Sequence, residues 1–272
     1  MITLVQYADE QLMYGRAWFG WDEAQAALGA TPGSLRAVVA RLIKKGRLAN
    51  PRHGFYLILR PEDRVAGAPD PARWIDPLMR HQGLDYRISL LRAAALHGAA
   101  HQAAMNFQVI VPRQLRPIQI GRHRVEFVYQ HPTLFSQVNQ DEWLTSLKTD
   151  DGFAKAAGVE LTLLDCARYF HKAAGIDGLA QIVKDLGGLA AAGKLRKLAA
   201  HYENTAVRRL GYLLDCMGYT RQAAALASFV HDAKSYAPLD PSAKSLVALP
   251  NDAHEKDSRW KLALNIAVEV DF

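Results

Sequence analysis

Between residues 32 and 60 the chain carries Arg36, Arg41, Lys44, Lys45, Arg47, Arg52 and Arg60 and not one Asp or Glu. A solvated helix face gains from mixed signs, so an acid-free run of cations costs self-repulsion unless an anion sits opposite. The chemistry such a run supports is the binding of a polyanion: Lys and Arg displace counterions from a phosphate backbone, and Arg also fits the acceptor edge of guanine. Other chemistry is harder to assemble. His97 and His101 have the spacing of a helical zinc pair, but Gly98 stands where a metalloprotease carries its general base, so no metal site is expected. Gly193-Lys194 lacks the rest of a phosphate loop, and no dinucleotide glycine fingerprint or serine elbow occurs. Asp165-Cys166 with His171 has the residue types of a thiol nucleophile, yet Leu161–Phe170 is apolar almost all round, which would bury the sulfur and raise its pKa. Glu126, Asp141 and Glu160 are too scattered to suggest a magnesium-dependent nuclease. Cys166 and Cys216 stand far apart in apolar surroundings, which excludes a disulfide framework and a four-cysteine zinc site and reads as two buried reduced thiols. Neither a catalytic centre nor a cofactor is expected.

The elements that must position the cations are legible around them. Asp22–Gly29 reads as a short helix, with Asp22 and Gln25 able to form its cap and Gly29 able to end it. Thr31 can cap a second helix that opens on Pro32 and runs to about Lys45. There Leu35, Val38, Val39, Leu42 and Ile43 form one apolar stripe; at about 100° per residue, Gly33, Ala37, Ala40, Arg41 and Lys44 fall opposite it, with Ser34 and Arg36 on the flanks. Small residues near the helix start would let its backbone approach base edges. Gly46 can stop the helix. Arg47-Leu48-Ala49 and Phe55–Leu59 then read as a hairpin around the turn Asn50–Gly54, with Arg52 at its tip and His53 as a turn residue. Upstream, Leu4, Tyr7, Ala8 and Leu12 mark an opening helix, and Trp18-Phe19 a short strand. Together these make a winged helix-turn-helix for double-stranded DNA.

The whole chain has 272 residues, half of them hydrophobic, and a net charge of +6, which suits a small basic module joined to a larger body. Gly67, Pro69 and Pro71 in Val65–Pro71 suggest a linker. Beyond it, helical patterns are expected at Arg87–His97, Leu161–Ala173, Leu179–Leu186, Lys194–Tyr202, Val207–Met217 and Gln222–His231. Strands are expected at Phe107–Val111, Pro117–Ile120 and Arg124–Tyr129, paired antiparallel, and near the end at Ala243–Leu249 and Trp260–Val270. The expected fold class is α+β: a winged helix-turn-helix over residues 1–64 followed by a larger α+β domain over residues 65–272. The start lacks the basic end and apolar stretch of a signal peptide, and no run is apolar enough to span a bilayer, so a cytoplasmic protein with no membrane partner is expected.

Several segments in order also carry a likeness: Arg41-Leu42-Ile43-Lys44-Lys45-Gly46-Arg47-Leu48, Gly54-Phe55-Tyr56, Ser89-Leu90-Leu91-Arg92-Ala93-Ala94-Ala95-Leu96-His97-Gly98-Ala99, Phe107-Gln108-Val109, Glu160-Leu161-Thr162-Leu163-Leu164-Asp165, and Arg209-Leu210-Gly211-Tyr212-Leu213-Leu214. In these the chain resembles the AbiEi family of antitoxins. The resemblance implies a bacterial type IV toxin-antitoxin protein. Its winged helix would repress its own operon at inverted repeats in the promoter, and its second domain would oppose a nucleotidyltransferase toxin without a stable complex. The candidate DNA-binding residues are Thr31, Ser34, Arg36, Ala37, Ala40, Arg41, Lys44, Lys45, Arg47 and Arg52. For the antitoxin surface the resemblance offers basic and polar residues, nominated as Arg87, Arg92, His97, Arg208 and Arg209. Two other readings stay open: a nuclease targeted to DNA by the winged helix, and a ligand-responsive transcription factor.

Overall fold

Thr3 begins the first helix by a reciprocal cap: its hydroxyl accepts from the Gln6 N–H at 3.2 Å, and the Gln6 side chain accepts from the Thr3 N–H at 2.9 Å. Helix α1 (Leu4–Met13) buries Leu4, Tyr7 and Ala8. Strand β1 (Trp18–Gly20), helix α2 (Trp21–Leu28), helix α3 (Pro32–Lys44) and strands β2 (Leu48–Arg52) and β3 (Phe55–Ile58) complete a winged helix-turn-helix, with a three-stranded sheet ordered β1-β3-β2. The computed structural model describes residues 2–99, 106–231, 233–243 and 255–268.

Two local details differ from expectation. Asp22 does not cap α2; the helix starts one residue earlier, because the Trp21 N–H is already engaged by the Gly54 carbonyl at 2.8 Å, and Glu23, paired with Arg16, turns back to the Gly20 N–H at 3.4 Å. The wing turn is shorter than Asn50–Gly54. Strand β2 runs to Arg52, and His53-Gly54 alone make the turn, with Gly54 at φ +77°. Pro51 cannot donate to the ladder, the register shifts between Ala49 and Arg52, and the Asn50 amide fills the gap by donating to the Phe55 carbonyl at 2.8 Å.

All of β3 is buried, because it has a core on each face. Tyr56 and Ile58 pack with Leu4, Tyr7, Phe19, Leu35, Val39 and Leu42 of the winged helix. Phe55 and Leu57 join a second core with Trp74, Leu78, Tyr86, Val109, Ile118 and Val125. The Gly/Pro stretch after the wing is therefore no loose linker. Ala68, Pro69 and Pro71 are buried, the Ala66 carbonyl accepts from the Arg122 N–H at 2.8 Å, and the Pro69 carbonyl accepts from the Trp74 indole at 3.0 Å. Helix α4 (Ile75–His81) follows.

The second core lines a six-stranded sheet of β4 (Arg87–Ile88), β5 (Asn106–Val111), β6 (Ile118–Ile120), β7 (His123–Tyr129), β8 (Leu144–Thr149) and β9 (Gly152–Ala157), ordered β6-β7-β5-β4-β9-β8. The expected strands are present, but β5 and β7 run parallel, Phe107 facing Val125 and Ile110 facing Val128; only β6 and β7 make the expected antiparallel pair. Arg87 and Ile88 belong to this sheet and not to a helix, since Arg87 pairs with Ile110 and Ile88 with both Val109 and Ala156. Met1–Ile88, Met105–Gln130 and Ser146–Ala156 thus form one compact unit, within which the expected boundary at residues 64 and 65 falls.

Ser89–Ala104, His131–Thr145 and Ala157–Phe272 form the other unit. It comprises helices α5 (Leu90–Leu96), α6 (Pro132–Val138), α7 (Val159–Arg168), α8 (Gly175–Leu186), α9 (Ala192–Ala199), α10 (Asn204–Cys216) and α11 (Thr220–Leu226), plus a small sheet of β10 (Ala237–Pro238), β12 (Leu262–Leu264) and β11 (Glu255–Asp257). The expected helical patterns agree with α7 to α11 to within a few residues, short 3-10 turns replacing the tails at Phe170–Lys172 and Ala227–Val230. Most of Ala243–Leu249, and residues 269 and 270, lie outside the described residues. Helix α7 is buried on every side from Leu161 to Ala167. Gly211 of α10 lies under the Trp260 ring, whose indole donates to Asp215 at 2.6 Å.

Two substitutions test this architecture. Phe55→Ala, which empties a fully buried position stacked on Trp18 at 5.4 Å, is expected to cost about 3–5 kcal/mol in chemical denaturation; a loss near zero would show that the wing does not share the sheet's core. Gly211→Ala should destabilise by about 1–3 kcal/mol, although Ala ordinarily favours a helix, because the new Cβ would fall 2.1 Å from the Trp260 ring. An unchanged or raised melting temperature would contradict that packing.

Candidate nucleic-acid interface

Helix α3 is fixed by its two ends and one face. The Thr31 hydroxyl accepts from the Ser34 N–H at 3.3 Å, Pro32 occupies the first turn, and Gly46 at φ +64° ends the helix, its N–H donating to the Ile43 carbonyl at 2.9 Å. Leu35, Val39 and Leu42 are buried against α1 and β3; Val38 is half-buried, and Ile43, expected in the buried stripe, is exposed. The opposite face carries Thr31, Gly33, Ser34, Arg36, Ala37, Ala40, Arg41, Lys44 and Lys45, all exposed. A Cβ added at Gly33 would meet no atom within 4 Å, so this face has open space before it. Among the described residues no ion pair engages Arg36, Arg41, Lys44 or Lys45.

Between α3 and the wing lies an open groove of about 370 Å³ floored by Trp21, Val39, Ile43 and Tyr56, with Arg36, Asn50 and His53 around it. Burial pushes the Tyr56 phenol up, and the Arg36 guanidinium partly offsets this. Trp21, Asn50, His53 and Tyr56 were not nominated from sequence. Trp18-Phe19 marked a short strand, but nothing local could place Trp21 opposite a wing more than thirty residues away.

Two nominated cations are turned back into the protein. Arg47 is half-buried and pairs with Asp9 of α1 at 3.2 Å. Arg52 does not project from the wing tip: its guanidinium donates to the Arg116 carbonyl and stands 5.6 Å over the Phe127 ring. Burial, then the nearby Arg116 charge, push its pKa down.

Three of the five residues nominated for an antitoxin surface need correction as well. Arg87 is fully buried and donates to the Gln130 side chain at 2.7 Å. Arg208 is buried and donates to the carbonyls of Ser235 and Lys261 at 3.0 and 2.9 Å. Arg209 is buried and donates to those of Leu239 and Ala167 at 2.8 and 3.0 Å, and burial lowers its pKa to about 10. These three are interior struts, because a guanidinium's fork of donors can satisfy several carbonyls at once. Arg92 is half-buried on α5. His97 ends that helix, a ring nitrogen 2.7 Å from the Ala157 carbonyl, and its partner in the zinc-like spacing, His101, lies outside the described residues.

The other reactive groups serve packing. The buried Asp165 carboxylate accepts from the Ser89 and Tyr202 hydroxyls, each at 2.7 Å. Burial and the adjacent Asp165 charge push the Cys166 thiol well above its ordinary pKa, which leaves it a poor nucleophile. Cys216 is exposed, contrary to expectation, because α10 turns it away from its buried face. Among the described residues no three His, Cys, Asp or Glu side chains converge as metal ligands, and no helix is long and apolar enough to cross a membrane.

Comparison with known proteins fits this picture. The structure resembles the crystal structure of the Rv2827c protein from Mycobacterium tuberculosis, with a TM-score of 0.64 and 16% identity over 95% of this chain and 89% of that one, a likeness of fold. No match is found among curated proteins. The model of the AbiEi antitoxin C-terminal domain matches residues 87–216, from the first residue of β4 to the last of α10. That match, over a little under half of the chain, is consistent with an AbiEi family antitoxin.

Proposed function

We propose that this chain is a DNA-binding antitoxin of a type IV toxin-antitoxin system. On this reading residues 1–64 bind the promoter of its own operon and repress it, and residues 65–272 oppose a nucleotidyltransferase toxin in the cytoplasm without a stable complex. The observation that carries the DNA-binding half is the outward face of α3: Arg36, Arg41, Lys44 and Lys45 stand exposed, without an ion pair among the described residues, behind small residues at the helix start. Four unpaired cations on one helix are unfavourable in isolation and favourable against phosphate, where each contact releases counterions. The apolar groove floored by Trp21, Ile43 and Tyr56 leaves room beside the helix for a sugar edge. The antitoxin half is supported by the AbiEi domain. A toxin partner follows from that family, and a nucleotidyltransferase is the partner class that the resemblance implies.

Arg41→Ala/Lys44→Ala is expected to weaken binding to promoter DNA about tenfold or more at fixed salt, with the melting temperature unchanged. Affinity within experimental error of the parent would remove α3 from the interface. Co-expression with the neighbouring toxin gene should restore growth, and the same rescue by Arg41→Ala/Lys44→Ala would separate antitoxicity from DNA binding. Persistent arrest with the intact chain would overturn the antitoxin assignment.

A further inference from the structure

A second acid-free basic run lies outside the winged helix: Arg113, Arg116, Arg122 and Arg124 stand between Asn106 and Val125 with no Asp or Glu. The fold brings part of it to the wing. Strand β2 packs beside β6, and the loop Pro112–Pro117 that leads into β6 sits at the wing tip, where its Arg116 carbonyl accepts from Arg52. Next to Arg52, His53 lines the α3 groove with Arg36. Cations therefore stand on α3, at the wing tip and on the loop: Arg36, Arg52, Arg113 and Arg116.

The loop is also held in shape. Pro112 and Pro117 restrict its ends, and Leu115 packs on the sheet's core between the exposed Arg113 and Arg116. Among the described residues no ion pair engages either arginine. The Arg52 and Arg116 charges are held close, and both the burial of Arg52 and the nearness of Arg116 lower the Arg52 pKa. A fold that crowds like charges at its surface without a carboxylate gains when phosphate arrives.

We propose that the Pro112–Pro117 loop is a second wing, whose Arg113 and Arg116 neutralise backbone phosphates of the duplex engaged by α3. Arg52 then serves as the post on which this loop docks rather than as a groove probe. The inference rests on the DNA-binding reading of α3, and the test separates the two.

The intact chain, Arg113→Ala/Arg116→Ala, Arg113→Lys/Arg116→Lys and Arg41→Ala/Lys44→Ala are each titrated against a mixed-sequence duplex of about 30 base pairs, roughly three helical turns, over a salt series. Each phosphate contact contributes about 0.9 to the slope of log K against log salt. The Arg113→Ala/Arg116→Ala slope should be shallower by about 1.8, the lysine variant should keep the parental slope, and all should melt like the parent. A parental slope in Arg113→Ala/Arg116→Ala, with affinity lost in Arg41→Ala/Lys44→Ala, would overturn the second wing and leave α3 in place. No loss in either alanine variant would overturn the α3 reading itself. A lysine variant as impaired as the alanine one would show that phosphate neutralisation is not the role of these residues.

Discussion

The first compact unit depends on one strand with two hydrophobic faces. Phe55 and Leu57 face the core of the six-stranded sheet, Tyr56 and Ile58 the core of the winged helix, and each side chain is at most 9% exposed. Burying a side chain of this size stabilises by roughly 1.5–3 kcal/mol, so either face alone would hold the strand and the two together fix its register. A slip by one residue would exchange the two sets of side chains between two cores of different shape. The position of the wing is set in this way, and with it the loop beside the wing and the direction in which α3 faces. The ion pairs around Asp151, which joins Arg60 at the end of the wing to Arg73 at 2.8 and 2.6 Å, secure the same junction from the other end of β3. Their carboxylate is nearly buried, and such a pair holds geometry more than it adds net stability.

Arginine has two distinct uses in this protein, and its partners tell them apart. Arg208 and Arg209 are enclosed and spend their donors on main-chain carbonyls. Removing Arg209 would deprive the carbonyls of the buried Leu239 and Ala167 of its donors, a cost of about 1–3 kcal/mol for each group left unpaired. Arg36 and Arg41 have no such partners among the described residues and keep their charge at the surface. Arg52 is intermediate: it spends its donor on the Arg116 carbonyl and brings a second cation to the wing tip. The same residue type thus contributes interior scaffolding at some positions and surface potential at others.

The groups that resemble reaction chemistry are held in the interior for structural reasons. Asp165 lies within α7 and accepts from two hydroxyls, which ties the start of α5 and the segment before α10 to the central helix. Its neighbour Cys166 is enclosed and has its thiol pushed up by the same burial. A buried polar group with its partners in place specifies one packing of the helices around it.

The sequence by itself determined the local elements and the placement of charge. Thr31 before Pro32, Gly29 and Gly46 at the helix ends, the apolar spacing of Leu35, Val39 and Leu42, and the acid-free cations of α3 depend on contacts within a turn or two, so their outcome could be read along the chain. Most helices of the second unit were legible for the same reason. Tertiary structure alone decided which strands pair, which arginines are enclosed and what the wing touches. Arg87–Ile88 became a strand because residues 109, 110 and 156 meet it, and Ala68 joined the core of the sheet that includes Ile118, Ile120 and Val125. Arg208 and Arg209 have the same local pattern as surface cations until the carbonyls of residues 235, 239 and 261 close over them. These outcomes depend on partners distant in sequence, whose free energy of contact exceeds the propensity of a few residues, and that is why the wing's docking on the Arg116 loop had no local signature.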